Sequence, residues 1–323
     1  MTRLAVLTSG GDAPGMNAAI RAVVRRGISL GMEMFGVRRG YAGLIAGDFV
    51  ALGSREVGGI IDRGGTVLGT SRCPEFLTAS GQEAAIARLT ERDIAGVIVI
   101  GGNGSQAGSH ALSQRGVAVL GIASTIDNDL PGSDVTIGAM TALDIGLEAI
   151  DRLRVTASAH GRVFLIEMMG RHCGYLALVA GITGGAEAIV VPEVEQTPEE
   201  VAAAVRAAYQ RGKSHAIVVV AEGAPHNAAS LARYFHEHSQ RLGFDLRVTQ
   251  LGHIQRGGCP GAFDRLNATL LGAEAAERFH AGARGTLLGI IAGKVTLTPF
   301  ADIVRGSKPL DPRLPGLARI LAE

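Results

Sequence analysis

Three short apolar runs in this chain each stop abruptly at a turn rich in glycine or acidic residues. They are residues 4–7 before TSGGDAPGMN (8–17), residues 94–100 before GGNGS (101–105), and residues 116–122 before STIDND (124–129). Apolar runs of this length, bounded by turn residues, are typical of buried strands in a parallel sheet. Because ligands bind outside the carboxyl ends of strands in open α/β sheets, these three turns are the first candidates for a functional site.

Helical patterns separate the apolar runs. After the first turn, four apolar residues recur on one side of an alanine-rich stretch: Ile20, Val23, Val24 and Ile28. Residues 197–200 (TPEE) combine an N-cap threonine, a proline at the first helical position and a glutamate at the third. About ten strands alternate with helices, which predicts an α/β fold of two doubly wound, Rossmann-like lobes with mainly parallel sheets.

Composition and charge narrow the class of protein. With 323 residues, 47% hydrophobic and 19% charged, the chain can bury a sizeable core and suits about two domains. A formal net charge of +1 gives no general affinity for nucleic acid. Cys73, Cys173 and Cys259 lie too far apart for a disulfide framework or a zinc site. No run approaches the ~20 apolar residues of a membrane helix, and no signal peptide is indicated, so we expect a cytoplasmic protein.

The two glycine-rich turns both favour phosphate binding. In the first, a strand, a glycine loop and a helix follow one another, so free N–H groups and a helix N-terminus would face an anion. It is neither a Walker A motif nor GxGxxG. In the second, residues 102–107 fit G-x-G-x-x-A directly after a strong strand. Arg21 and Arg25 share one face of the helix after the first turn, which fits either a second anion site or a solvated surface.

The third turn is either a site of acid–base chemistry or a turn whose polar side chains only cap its own backbone. Asp127 and Asp129 are two carboxylates two residues apart, with the hydroxyl of Thr125 beside them. That set suits proton abstraction and metal binding at a strand end. The alternative is an Asx-rich turn in which the acidic and amide side chains cap neighbouring backbone groups. The turn alone leaves both interpretations open.

Five stretches taken together resemble the bacterial 6-phosphofructokinases. They are residues 8–18, 101–105, 125–129, 169–171 and 251–258. TSGGDAPGMNAAIR, TIDND and GHIQRGG are specific in combination, whereas the GGxG loop also occurs in NAD kinases and diacylglycerol kinases. The length and the order of the motifs agree as well, so the resemblance covers essentially the whole chain.

The resemblance implies Mg²⁺-dependent phosphorylation of fructose 6-phosphate at its C1 hydroxyl by ATP. It implies that Asp127 is the catalytic base, with Thr125 and Arg171 as further catalytic residues. The residues implied on the nucleotide side are Gly11, Arg72, Cys73, Gly102, Asn103, Gly104 and Ser105, with Asn103 and Asp129 at the metal. Those implied on the sugar-phosphate side are Arg162, Met169, Gly170, Glu222, Arg247, His253 and Arg256. Taken singly, Arg247 also fits a surface ion pair, and Met169 fits core packing.

The resemblance also implies an assembly. It assigns residues 1–138 plus about 252–303 to a larger nucleotide-binding lobe, and residues 139–251 plus about 304–323 to a smaller sugar-phosphate lobe. Arg162 and Arg247 would reach in from a neighbouring subunit, which requires a homo-oligomer, usually a tetramer. A second site, for an ADP or phosphoenolpyruvate effector, is implied at Arg21, Arg25, Arg154, Glu187, Arg211 and Lys213.

Several positions depart from the family pattern. Asn103 stands where the family usually has an aspartate that helps to hold Mg²⁺. Gly104 and Ser124 occupy the positions that separate ATP users from pyrophosphate users, which carry Asp and Lys there; Gly104 favours ATP, and Ser124 matches neither class. Ser54 and Gly59 replace an Arg and an Asp of the effector site. Two alternatives therefore stay open: a pyrophosphate-dependent enzyme of the same fold, and a weakly catalytic paralogue that binds sugar phosphate and nucleotide.

Overall fold

Two β-sheets, one in each of two structural units, organise the chain in a computed structural model that describes residues 1–244 and 246–322. The first unit comprises Met1–Thr141 and Arg256–Lys308, and the second comprises Ala142–Gln255 and the segment that begins at Pro309. The lobe divisions expected from the sequence lay near residues 138, 251 and 303, and the second lobe included residues 245 and 323, which lie outside the described residues.

The described strands and helices alternate along most of the chain. The strands are β1 Arg3–Thr8, β2 Glu33–Val37, β3 Phe49–Ala51, β4 Ile94–Gly101, β5 Val119–Ala123, β6 Val163–Met168, β7 Ala188–Val190, β8 Ala216–Ala221, β9 Leu246–Gln250, β10 Thr286–Ile291 and β11 Lys294–Pro299. The α-helices are α1 Met16–Ser29, α2 Gly40–Ala46, α3 Ala79–Glu91, α4 Asn103–Gln114, α5 Ala139–His160, α6 Tyr175–Thr183, α7 Pro198–Gln210, α8 Ala228–Glu237, α9 Ser239–Leu242, α10 Ala262–His280, α11 Phe300–Arg305 and α12 Arg313–Leu321. Short 3₁₀ helices lie at Pro74–Leu77 and Gly252–Gln255.

The sheet of the first unit has the order β11-β10-β5-β4-β1-β2-β3. Its five inner strands run parallel, and β3 and β11 pair antiparallel at the two edges. The central strands β1, β4 and β5 are almost entirely buried, which matches their continuous apolar sequences. Their register aligns Thr8 with Ile100 and Ile100 with Ile122. The turns that follow these three strands therefore meet at one edge of the sheet.

The second unit contains an all-parallel sheet of order β7-β8-β6-β9. Helices α7 and α8 pack their apolar residues against it, around buried Val201, Leu231 and Phe235. The predicted start of α7 is confirmed as a capping box. The Thr197 hydroxyl accepts from the Glu200 N–H, and the Glu200 carboxylate accepts from the Thr197 N–H at 2.7 Å.

Some local predictions were wrong. Of the four apolar residues expected on one side of α1, Ile20, Val23 and Val24 are buried, whereas Ile28 lies in the last turn and is 37% exposed. The strand expected from residue 116 begins at Val119. Among the described residues, no helix has the length and apolar character needed to cross a bilayer.

Candidate active site

A cavity of about 590 Å³ lies at the carboxyl edge of β1, β4 and β5, within the first unit. Its volume is in the range of small-molecule sites. The structure brings the following predicted residues together in its wall: Gly11, Arg72, Cys73, Gly102, Asn103, Gly104, Ser105, Ser124, Thr125, Asp127, Asp129 and Arg256. They come from five separate chain segments. The aligned ends of the three strands bring the turn residues into one place.

The second glycine turn presents a helix N-terminus to this cavity. Asn103, Gly104 and Ser105 form the first turn of α4 and line the cavity wall. The N–H groups of a first helical turn lack partners within the helix, and the helix dipole favours negative charge there. A β-carbon added to Gly104 would meet no atom within 4 Å, so the space beside it is open. This edge of the cavity suits a phosphate group.

The acidic turn is capped locally and also lines the cavity. The Thr125 hydroxyl accepts from the Asp127 N–H at 3.2 Å, and the Thr136 hydroxyl donates to the Thr125 carbonyl at 2.6 Å. Asp127 and Asp129 both lie in the cavity wall. The two interpretations of this turn are therefore compatible, because hydroxyl groups brace its backbone while the carboxylates border the cavity.

Ser124 and Arg256 are held in defined places in the wall. Ser124 is fully buried, and its hydroxyl donates to the Ile137 carbonyl at 3.3 Å. The Arg256 guanidinium donates to the Asp12 carbonyl at 3.0 Å. Arg256 was expected on the sugar-phosphate side, and in the structure it lies in the wall that it shares with the residues expected around a nucleotide.

A buried carboxylate fixes the chain just beyond the acidic turn. Asp264, fully buried in the first turn of α10, accepts from the Gly138 N–H at 2.8 Å and from the Thr141 N–H at 2.7 Å. It also accepts from the Thr141 hydroxyl at 2.6 Å. It thereby caps the N-terminus of α5 from a distant helix. Sequence reasoning missed this residue because the contact spans more than 120 positions.

Two aromatic residues of the cavity wall were also missed. The rings of Tyr41 and Phe76 stack with their centroids 4.0 Å apart and their planes 17° apart. The Tyr41 hydroxyl donates to the Ser105 carbonyl at 2.7 Å, and burial raises the pKa of Tyr41 above its usual range, so the phenol stays neutral. Both side chains are almost fully buried, so the pair forms an apolar part of the cavity wall. The contact joins Tyr41 to Phe76 across a stretch without a clear helix or strand pattern, so the sequence did not reveal it.

Four of the predicted sugar-phosphate residues, together with the predicted catalytic Arg171, follow the carboxyl ends of neighbouring strands in the second unit. They are Met169, Gly170 and Arg171 after β6, Glu222 after β8, and His253 after β9. The register pairs Met168 with Ala221, so the ends of β6 and β8 lie side by side. The Met169 N–H donates to the buried Gln255 side chain at 2.8 Å, and the Glu222 N–H donates to the Met168 carbonyl at 2.8 Å. These bonds fix the backbone of that edge.

Arg162 and Arg247 lie at the opposite end of the same sheet. Arg162 directly precedes β6, and Arg247 pairs in register with Phe164 near the start of that strand. At about 3.3 Å per residue, the length of β6 puts them about 20 Å from the carboxyl edge. A single second unit therefore does not bring them together with the other five residues. The resemblance had placed them in a neighbouring subunit.

The predicted effector residues fall in both units. In the second unit, Arg154 donates to the Gly184 and Gly185 carbonyls, and Lys213 pairs with the buried Glu187 carboxylate at 3.0 Å. That carboxylate also accepts from the Ile217 N–H at 2.6 Å. Arg211 donates to the Ala322 carbonyl at 2.6 Å. Arg21 and Arg25 lie on α1 of the first unit. The partners named here for the second-unit residues belong to that same unit.

The donor set of the cavity fits a Mg²⁺ ion that a phosphate also ligates. Asp127, Asp129 and the Asn103 amide supply oxygen donors in one wall, and the Asn103 amide nitrogen lies 3.5 Å from the Asp129 carbonyl. No cluster of three or more His, Cys, Asp or Glu suited to a metal occurs in the described parts of the chain. Mg²⁺ is commonly held by one or two carboxylates, substrate phosphates and water, so a larger cluster is not required.

A parallel sheet that presents a glycine loop, a helix N-terminus and two carboxylates to one cavity defines a phosphate-binding α/β protein. A profile of the family described as "Phosphofructokinase" matches residues 3–279. The chain belongs to the phosphofructokinase family.

Curated relatives agree with this family over the full length of the chain. The chain is 52% identical over 324 residues to "ATP-dependent 6-phosphofructokinase 1" of Thermus thermophilus, covering 100% of both chains. It is 47% identical over 323 residues to the "ATP-dependent 6-phosphofructokinase" of Thermotoga neapolitana, again covering 100% of both chains. The family expected from the sequence motifs is therefore confirmed.

Solved structures confirm the predicted fold class. A phosphofructokinase from Saccharomyces cerevisiae aligns with a TM-score of 0.86 and 36% identity, over 94% of this chain and 45% of the yeast chain. A pyrophosphate-dependent phosphofructokinase from Marinobacter aquaeolei aligns with a TM-score of 0.87 over 97% of this chain and 86% of that chain. Its identity is 21%, so this likeness shows the fold alone.

Proposed function

We propose that this protein transfers the terminal phosphoryl group of ATP to the C1 hydroxyl of fructose 6-phosphate, forming fructose 1,6-bisphosphate and ADP. The reaction is a kinase step of glycolysis, and we assign it to the cytoplasm. The observation that carries the proposal is that Asp127 borders the same cavity as the N-terminal turn of α4. The full-length relatives are named as ATP-dependent enzymes, which supports ATP as the donor.

Asp127 acts as the general base. A carboxylate accepts the proton of the C1 hydroxyl as its oxygen attacks phosphorus, and such base catalysis contributes typically about 10²- to 10⁴-fold. The Thr125 hydroxyl, which accepts from the Asp127 N–H, fixes the turn from which that carboxylate projects. Arg171 contributes positive charge to the transferred group. The remainder of catalysis is positioning and charge neutralisation, as in other phosphoryl transfers.

The cavity holds ATP by its phosphates and its base. N–H groups at the start of α4 and around Gly11 donate to the phosphate oxygens, and Arg72 balances the negative charge of the phosphates. The buried Tyr41 and Phe76 side chains form an apolar part of the wall beside which the purine lies. The open space beside Gly104 leaves room for the α-phosphate and the adenosine.

Asp129 and Asn103 would hold the Mg²⁺ ion. When bound, Mg²⁺ neutralises charge on the donor phosphates and orients them. The Asn103 amide offers a carbonyl oxygen without a charge, so Asp129 carries more of the electrostatic contribution here than it would beside a second aspartate. The protein contributes by placing the oxygen atoms of these two residues in the cavity wall that also contains Asp127.

Fructose 6-phosphate is bound through the carboxyl edge of the second sheet. Glu222 accepts hydrogen bonds from sugar hydroxyls, while Met169 and Gly170 form the wall. His253, Arg171 and Arg256 supply positive charge for a phosphate that carries nearly two negative charges. Arg162 and Arg247 serve the site of a neighbouring subunit, so the active form is a homo-oligomer, for which we propose a tetramer. ADP or phosphoenolpyruvate binds the effector residues, although Ser54 and Gly59 weaken that site.

The phosphoryl donor decides between this proposal and its alternatives. An aldolase-coupled assay of the purified protein with fructose 6-phosphate should show clearly faster turnover with ATP than with pyrophosphate. Faster turnover with pyrophosphate would make the protein a pyrophosphate-dependent enzyme. Turnover with neither donor, while fructose 6-phosphate and ATP still bind by calorimetry, would support the weakly catalytic paralogue.

A further inference from the structure

Asn128 adopts an unusual backbone conformation at the centre of the acidic turn. Its φ is +51°, in the left-handed region that asparagine tolerates better than most residues. Its side chain is 5% exposed. Among the described residues, the cavity wall includes Asp127 and Asp129 on either side of it, but not Asn128. The left-handed residue therefore reverses the chain so that its two acidic neighbours, and not its own amide, border the cavity.

The Asn128 amide is held from behind the turn. Its oxygen accepts from the Thr136 N–H at 3.1 Å and from the Lys308 ammonium at 2.8 Å. Its nitrogen donates to the Asp134 carbonyl at 3.2 Å. Donors and acceptors thus match on both ends of the amide, which fixes its orientation. These contacts join the centre of the turn to residues 134–136, which follow it in the chain.

The Lys308 ammonium joins three acceptors of this one loop. Besides the Asn128 side chain, it donates to the Ser133 carbonyl at 2.7 Å and to the Asp134 carbonyl at 2.7 Å. The Lys308 side chain is only partly exposed. Because its ammonium group is charged, its hydrogen bonds are among the stronger ones in proteins. Lys308 lies 174 to 180 positions from its acceptors and is the last residue of the first unit. It does not line the cavity wall as described.

We infer that Lys308 and Asn128 are positioning residues for the proposed phosphoryl transfer, which act by holding the Asp127–Asp129 turn in its reactive shape. This inference rests on the proposed function, because the transfer is what gives the carboxylates a task. Without the ammonium, the Asn128 amide and two carbonyls lose a shared partner, and the left-handed residue loses part of the network that offsets its strain. The turn then samples shapes in which Asp127 no longer meets the sugar hydroxyl.

Kinetics of Lys308→Met test the inference. Because misplacement by about 1 Å costs up to about 10²-fold, we expect kcat to fall 10- to 100-fold. KM for ATP and fructose 6-phosphate should change less than about 3-fold, because the nucleotide contacts stay in place. Lys294→Met, which removes an exposed lysine of β11 in the same unit, is the control and should leave kcat unchanged. A folded Lys308→Met variant with kcat within twofold of wild type overturns the inference.

A double variant separates positioning from a merely structural role. In an Asp127→Asn background, Lys308→Met should lower kcat no further, since the carboxylate through which it acts is gone. A loss that persists in that background contradicts the inference. Asn128→Ala should show the same pattern as Lys308→Met, and the two together should cost less than the product of their separate effects.

Hydrogen exchange tests the inference even if the proposed reaction is wrong. The Thr136 amide, which donates to Asn128, should exchange faster in Lys308→Met, within a peptide covering residues 124–138. Protection of α1 and of the central strands should be unchanged. Wild-type turnover tests the proposed function, whereas hydrogen exchange of this peptide tests the positioning contact. Unchanged exchange in the peptide overturns the inference whatever the activity.

Discussion

The Arg256 guanidinium lies against Gly11, in the space that a β-carbon at position 11 would occupy. Because the group in the way is the end of a flexible side chain, Gly11→Ala should displace Arg256 while leaving the free energy of unfolding within about 0.5 kcal/mol of wild type. We expect kcat/KM to fall by about 10- to 100-fold, since both residues border the candidate cavity.

Gly316→Ala is the matched control for Gly11→Ala. A β-carbon there meets no atom within 4 Å, and the residue lies in α12. The control should retain full activity and gain up to about 1 kcal/mol of stability, because alanine favours helix over glycine. Full activity of Gly11→Ala, measured beside this control, would show that the placement of Arg256 does not matter to turnover.

Asn103→Asp should strengthen activation by Mg²⁺. At an effective dielectric near 20, a unit charge pair at ~4 Å is worth about 4 kcal/mol, which is an upper bound for the gain in a hydrated site. We expect the Mg²⁺ concentration at half-maximal activity to fall at least about tenfold. Asn103→Ala, which removes the carbonyl oxygen, should raise it. If the midpoint of the Mg²⁺ titration is the same in Asn103→Asp and wild type, the assignment of position 103 to the metal is wrong.

Gly104→Asp should shift donor preference away from ATP. The space beside Gly104 is open, and an aspartate would place bulk and negative charge where we expect the α-phosphate. We expect kcat/KM for ATP to fall at least about tenfold, and the value for pyrophosphate to fall less, since charge repulsion and lost space both act on the longer donor. Gly104→Ala adds only a methyl group and should have a small effect. An equal loss with both donors would contradict this account.

Protonation of the Glu199 carboxylate should make the second unit less stable in acid. Hydrogen bonds from Arg241 hold the pKa of Glu199 well below its usual range, and Tyr234 and Arg206 add further bonds. A lowered native pKa stabilises the fold above the unfolded value of about 4.3, and the effect is lost as the pH falls through the native pKa.

Thermal unfolding of Glu199→Gln from pH 7 to pH 3 checks the direction of this pH dependence of stability. The variant should have a lower Tm than wild type at pH 7, and the difference should shrink as the pH falls below about 4. Glu237→Gln, a change of an exposed glutamate at the end of α8, is the control and should show little difference at any pH. A Tm difference for Glu199→Gln that stays constant down to pH 3 would contradict the assignment.

The sequence predicted elements whose cause is local. The central strands β4 and β5 are short β-branched runs that end in glycine or acidic turns, and the start of α7 follows from one threonine, one proline and one glutamate. The edge strands β3 and β11 were missed because they are short, partly exposed and defined by pairing with a neighbour.

From local patterns alone, the candidate site was predictable only where it follows a strand; Arg72 and Cys73 came from the family resemblance. The acidic turn and the start of α4 were found in this way. The stacked Tyr41 and Phe76 depend on contacts between distant segments, as do Asp264 and Lys308. Such contacts have no local period or motif. The buried hydroxyl of Ser124 shows the same limit, because its partner Ile137 becomes a neighbour only in the folded turn.

Turnover of Asp127→Ser tests the central claim most directly. With ATP, Mg²⁺ and fructose 6-phosphate at saturation, we predict that kcat falls by about 10²- to 10⁴-fold while both KM values stay within a few-fold of wild type. Asp129→Asn, assayed in parallel, should instead raise the Mg²⁺ requirement. A kcat for Asp127→Ser close to that of wild type would contradict the account, because the proton of the sugar hydroxyl would then have another acceptor.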